Sequence, residues 1–207
     1  MAPKNKFTKD EMVLAGVRVV KKLGFEKLTA KTMANELKTS TQPIFTCFST
    51  MDALKNEVRL AAKDIYDEYV NEGLKEKIPF FGFGMQYIRF AEKEPNLYRM
   101  LFLSPIDENE NSDWDSVKHS QNIVRPTLEK IYRISPADAD RYFRDLWLVV
   151  HSLATLIVTG RYNYSEEETK QILTEFSVSI CKAIKEIPGF TAGTFNRDEV
   201  FQSLIGE

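Results

Sequence analysis

The chain has 207 residues, 43% of them hydrophobic and 28% charged, so it has enough apolar side chain for a buried core and enough charge to stay in water. Its net charge of −2 excludes a uniformly basic nucleic-acid binder, but the sign is unevenly spread. Residues 1–60 carry 11 Lys and Arg against 6 Asp and Glu, net +5, and the remainder carries 17 against 24, net −7. A basic head on an acidic body suits contact with a polyanion at one end only. Cys47 and Cys181 lie far apart and fit no zinc or redox motif. The opening MAPKNKFTKDE is polar and reads as no signal peptide, and the longest apolar run, Leu146 to Val158, is interrupted by His151 and Ser152. A cytoplasmic protein without a membrane span is expected.

The pattern predicts an all-α chain of about nine helices. Residues 1–7 form a short arm with Lys4 and Lys6; such arms can touch phosphate, though most are merely disordered. Thr8 with Glu11 reads as a capping box for a first helix ending at Leu23, with Val13, Gly16, Val17 and Val20 on one face. Gly24 is expected to stop it in the left-handed conformation. Thr29 can cap a second helix over roughly 30–37, with Met33, Ala34 and Leu37 at helical spacing. Thr39 or Ser40 can cap a third, about 41–48, in whose first turn Pro43 is tolerated.

The third helix turns Ile44, Phe48 and Cys47 inward and leaves Thr41, Gln42, Phe45 and Thr46 outside. No acid lies between Lys38 and Thr50. Hydroxyls and an amide suit hydrogen bonds to base edges and phosphates, and an aromatic edge suits sugar or thymine methyl. The same residues also fit a plain capped hairpin of surface helices.

A long helix follows over about 51–74, then a fifth from Pro79 and a short sixth from Pro95. Gly82 and Gly84 form no nucleotide fingerprint, because no strand precedes them; within a helix they admit a close neighbour, either another helix or a ligand. Residues 104–113 are acidic, but a calcium loop read from Asp107 would put Ser112 and Lys118 at positions that need Gly and Glu. The seventh helix is expected over about 114–132 with Pro126 in its later half, and the eighth from Ser135-Pro136 to Gly160. The eighth is apolar on most sides and must be buried on most sides. Ser165 with Glu168 caps a ninth, whose stripe is Ile172, Phe176, Ile180, Ile184 and Ile187, and the tail holds a short helix around 200–205.

No catalytic constellation is present, so the chain is not read as an enzyme, and no cofactor or metal is expected. His151, on an apolar face, fits a hydrogen-bonded core residue better than a ligand or base. The middle helices carry Phe83, Met85, Tyr87, Phe90, Met100, Phe102, Trp114 and Trp147, a set that suits either an ordinary core or a cavity for a flat, apolar effector.

Thr29, Met33 and Ala34, followed by Ser40, Ile44, Phe45, Phe48, Thr50, Asp52 and Leu54, make a pattern that resembles the N-terminal domain of TetR-family transcriptional regulators. Gly24-Phe25 and the later segment FAEKEPNLYRMLF resemble the same family. The chain departs from the pattern at Lys38-Thr39, where Gly-Val is usual, at Phe45 for Tyr, at Cys47 for His and at Met51 for Lys. The resemblance implies a helix-turn-helix DNA-binding domain at 1–50 and a ligand-binding and dimerisation domain at 51–207. Thr41, Gln42 and Thr46 would then read bases of a palindromic double-stranded operator, while Thr29, Lys31, Phe45 and Lys55 hold its backbone. The resemblance also implies an effector pocket among the fifth to eighth helices but not its contacts; the residues themselves offer Phe83, Tyr87, Phe90, Met100, Trp114, Trp147 and His151, with His151, Arg89 and Tyr87 as candidate polar points. A homodimer would form through Leu153, Ile157, Ile172, Phe176, Ile180 and Ile184. The function so implied is a repressor released by a small apolar or aromatic effector. The rival reading is a helical small-molecule binder, or cofactor-free enzyme, whose helix-turn-helix is vestigial.

Overall fold

A computed structural model describes residues 7–104 and 115–205; Lys4, Lys6, Trp114 and nearly all of the acidic stretch lie outside them. The described residues form ten α-helices and no strand. The first is α1 (Lys9–Leu23), capped as expected by reciprocal hydrogen bonds between Thr8 and Glu11. Gly24 ends it at φ 88°, ψ 161°, outside the left-handed helical region expected for it but equally closed to residues with a Cβ. A single 3-10 turn, Phe25–Lys27, leads to α2 (Ala30–Glu36), where Thr29 and Thr32 bond reciprocally.

The turn after α2 is made by Lys38 at φ 50°. Its amide reaches the Asn35 carbonyl and that of Thr39 reaches Ala34, a Schellman pair. Lysine tolerates this conformation less well than the glycine usual in similar chains. For α3 (Gln42–Cys47) the expected side-chain cap does not form. Thr41 occupies the cap position in a helical conformation (φ −75°, ψ −18°), not the extended one that aims a hydroxyl at the first-turn amides.

The remaining helices are α4 (Met51–Leu74), α5 (Pro79–Lys93), α6 (Pro95–Tyr98), α7 (Ser116–Tyr132), α8 (Pro136–Val158), α9 (Glu166–Glu186) and α10 (Arg197–Ile205). The expected sixth helix is split: four residues of α6 run into a π turn, Arg99–Leu103, closed by the Ser104 amide on the Arg99 carbonyl. Helix α7 starts two residues later than expected because the Asp115 carboxylate accepts from the Val117 and Lys118 amides. Helix α9 stops before Ile187, and α10 starts three residues earlier than expected.

One continuous core runs from the head into the body. Met12, Val20, Met33 and Ile44 join the first three helices, and α4 carries the core onward through Leu54, Val58, Tyr66 and Val70. Gly16 lets α1 close on α4, since a Cβ there would lie 2.4 Å from Val58 Cγ2. The α4–α5 contact is tighter. A Cβ on Gly82 would lie 2.1 Å from the Gly73 carbonyl oxygen, and one on Gly73 would lie 2.5 Å from that of Gly82. Gly82 therefore admits a neighbouring helix, one of the two alternatives left open for it and Gly84, and Gly84 packs against Val150 and Leu173 of α8 and α9.

Candidate nucleic-acid interface and effector site

Helix α3 buries Ile44, and Phe48 just beyond it, while Thr41, Gln42, Phe45 and Thr46 are exposed. Phe45 keeps 49% of its surface in water, much for a phenylalanine that served only the core. The Thr46 hydroxyl donates to the Gln42 carbonyl at 3.1 Å, which leaves its oxygen free to accept. Cys47 is half-buried, and its thiol donates to the Phe7 carbonyl at 3.5 Å. Thr29 and Lys31 are exposed at the start of α2, where free amides and an absence of acids favour an anion.

Lys55 is less free than its place near the start of α4 implies. Its Nζ lies 3.4 Å from Asp52 and 5.9 Å from the centre of the Phe25 ring. Arg59 covers the same ring at 4.4 Å. A surface pair of this kind is worth about 1 kcal/mol at most, so the ammonium can be surrendered to a phosphate. Elsewhere on the head, Glu36 accepts from Arg18 at 2.8 Å and Lys22 at 2.9 Å, and these bonds hold its carboxyl below the usual range.

In the body, Phe83, Tyr87, Phe90, Met100 and Trp147 are buried and His151 is half-buried. Their rings form a continuous aromatic cluster in which Tyr87 lies 5.1 Å from Phe102 and 6.4 Å from Trp147. Phe90 lies 5.4 Å from Tyr66, and Phe83 lies 6.1 Å from Tyr87. Polar atoms converge on the imidazole: the Tyr87 hydroxyl is 3.0 Å and the Tyr98 hydroxyl 3.1 Å from His151 Nδ1. Tyr98 also reaches Thr155 Oγ1 at 3.0 Å. The His151 ring stacks on Trp147, with centres 4.5 Å apart and planes 11° apart. Burial lowers the His151 pKa and raises those of Tyr87 and Tyr98, keeping all three neutral near pH 7. Sequence reasoning did not single out Tyr98 and Thr155, because their spacing matches any core helix; only the fold brings them to His151. Met85 is half-buried, and Arg89 is exposed.

The residues expected at a dimer interface separate by depth. Leu153 is buried within its own protomer; Ile157, Ile172, Ile180 and Ile184 are half-buried; Phe176 is exposed. Leu148 on α8 and Val178 on α9, which the stripe did not include, are also exposed. Among the described residues no group of three or more His, Cys, Asp or Glu is placed to hold a metal. No helix among them is long and apolar enough to cross a membrane.

An all-helical chain that presents an acid-free polar helix beside a basic turn, tied by one long helix to an aromatic-cored bundle, has the build of a helix-turn-helix regulator. Residues 80–177 match the family model described as tetracyclin repressor-like, C-terminal domain. The match supports a TetR-family regulator, and transcription regulation and DNA binding follow from that family. No curated protein matches it.

Proposed function

We propose that the protein is a homodimeric repressor that binds a palindromic operator and is released by a small effector. The supporting observation is the exposed, acid-free face of α3. In this reading residues 1–50 form the DNA-binding unit and residues 51–207 the effector-binding and dimerisation unit. Thr41, Gln42 and Thr46 read base edges in the major groove, and Thr29, Lys31, Phe45 and Lys55 hold the backbone. Leu148, Phe176 and Val178 form the outer part of the subunit contact, with Ile157, Ile172, Ile180 and Ile184 beside them and Leu153 supporting the face from behind. Effector binding favours a conformation with wrongly spaced heads, because half-sites on one face of DNA repeat only about every 34–36 Å. Such a protein would work in the cytoplasm, where the DNA is.

The test is binding of the purified protein to DNA from its own upstream region, in competition with random DNA and over a salt series. Tight, selective binding that falls steeply with salt is expected. Weak, unselective binding at every salt concentration would overturn the proposal in favour of a ligand-binding protein with a vestigial head.

A further inference from the structure

We infer that the effector is a flat, uncharged molecule bearing a carbonyl oxygen, and that this oxygen accepts from the indole N–H of Trp147 and from Nε2 of His151. The inference rests on the effector-responsive reading above and adds the chemistry of the ligand.

The first observation is an orphan donor. Trp147 Nε1 is buried and has no hydrogen-bond partner among the described residues. An indole nitrogen can only donate, and leaving a buried donor unmet costs about 1–3 kcal/mol. The ring contacts of this indole are with Tyr87 and His151.

The second is the stacked imidazole one helical turn along α8. Two tyrosine hydroxyls converge on His151 Nδ1. A hydroxyl proton donated to Nδ1 leaves the ring proton of the neutral tautomer on Nε2. In that tautomer Nε2, which makes no hydrogen bond among the described residues, is a second N–H donor in the ring stacked on the indole. His151 is only half-buried, which puts the pair at the edge of the aromatic cluster and not sealed inside it.

The absence of a charge partner decides between a carbonyl and a carboxylate. The side chains bonded to this imidazole and its neighbour Tyr98 are Tyr87, Tyr98 and Thr155, all neutral. Among the described residues no Lys or Arg is hydrogen-bonded to His151, Tyr87 or Tyr98. A carboxylate would be desolvated without a counter-charge, whereas a neutral carbonyl needs only the two donors. The rings of Tyr87, Tyr98 and Phe102 pack around the imidazole and favour an aromatic ligand.

The experiment screens three matched sets of bicyclic fragments against nitrogen-15-labelled protein: neutral carbonyl compounds such as coumarin, carboxylates such as 2-naphthoate, and hydrocarbons such as naphthalene. The chain has two tryptophans, so the two indole N–H signals are assigned with Trp147→Phe. Carbonyl fragments are expected to bind and to move the Trp147 signal downfield, carboxylates to bind about tenfold more weakly, and hydrocarbons to bind without the downfield move. Trp147→Phe and, should that core change unfold the protein, His151→Phe are each expected to weaken the carbonyl set about fivefold and leave the hydrocarbons unchanged. Tighter carboxylate binding, carbonyl binding that leaves the Trp147 signal in place, or no binding from any set overturns the inference. Operator binding measured on the same preparation without fragments separates the two readings: selective DNA binding without carbonyl preference removes only the ligand class.

Discussion

Asn96 and Tyr98 stand two residues apart on α6 and reach in opposite directions. The Asn96 amide donates to the Lys21 carbonyl at 2.9 Å, near the end of α1, while the Tyr98 hydroxyl sits 3.1 Å from His151 in the body. Glu94, just before α6, adds a 2.7 Å ion pair to the Lys21 ammonium. One short helix thus touches both the head and the aromatic cluster, so a ligand that displaced Tyr98 would also shift the support of α1. Asn96→Ala is expected to loosen the last turn of α1 by about 0.5–1.5 kcal/mol. Hydrogen exchange would show this as severalfold faster exchange of the Val20 to Gly24 amides with α8 unchanged; equal acceleration in both would mean global destabilisation instead.

Base reading and backbone anchoring predict different losses on the head. Gln42→Ala is expected to reduce the preference for operator over random DNA, with little change in random-DNA affinity. Lys55→Ala is expected to weaken both and to reduce the salt slope by about one. Affinities of both variants on both DNAs over a salt series check this, and equal loss on every sequence for Gln42→Ala would remove it from the reading set.

The glycines of α5 should respond unequally to a methyl group. Gly82→Ala drives a Cβ into the Gly73 backbone, so α4 and α5 must separate; a loss of roughly 2–4 kcal/mol is expected. At Gly84 the nearest atoms are ends of Leu173 and Val150 side chains, at 3.2 and 3.3 Å. There the gain in helix propensity offsets a small adjustment, and Gly84→Ala should change stability by less than about 1 kcal/mol. Urea unfolding of the two variants is the measurement.

Tyr66 and Ser120 predict a non-additive pair. Ser120 Oγ donates to the Ser116 carbonyl, so in the 2.6 Å contact the fully buried Tyr66 hydroxyl is the donor. Ser120→Ala strands that hydroxyl and is expected to cost about 1–3 kcal/mol, more than Tyr66→Phe, which leaves the serine its own bond. The double variant should be no less stable than Ser120→Ala alone. Additive losses in a double-mutant cycle would show that the hydroxyl has another partner.

His151 makes a pH prediction. Burial lowers its pKa from the ordinary 6.5, so below that pH the unfolded chain takes a proton that the folded one refuses. Stability attributable to this residue is therefore full above about pH 6.5 and declines as pH falls below it, levelling once the folded form protonates. His151→Gln should flatten this part of the profile. Unfolding free energies of both proteins between pH 5 and 7.5 decide it, and parallel profiles would count against a buried neutral imidazole.

The helices were legible because each carries its own local instructions. Thr8 with Glu11 and Ser165 with Glu168 announce helix starts within four residues, and Pro79, Pro95 and Pro136 stand where first-turn amides lack partners anyway. The apolar spacing of α8 likewise announced burial on most sides, although Leu148 on it stays exposed. What the sequence by itself determined was therefore the all-helical class, the order of the elements and the outward face of α3, since these depend on interactions a few residues apart. Local signals failed where the backbone had alternatives, as at Thr41, whose helical conformation removed the expected cap, and at the π turn after α6. Only the tertiary structure decided that Gly73 meets Gly82, that Tyr98 and Thr155 gather at His151, and that Trp147 is left with an unmet donor. Those pairings join residues dozens of positions apart, and their physical cause is the fit of helix on helix, which spacing along one chain does not encode.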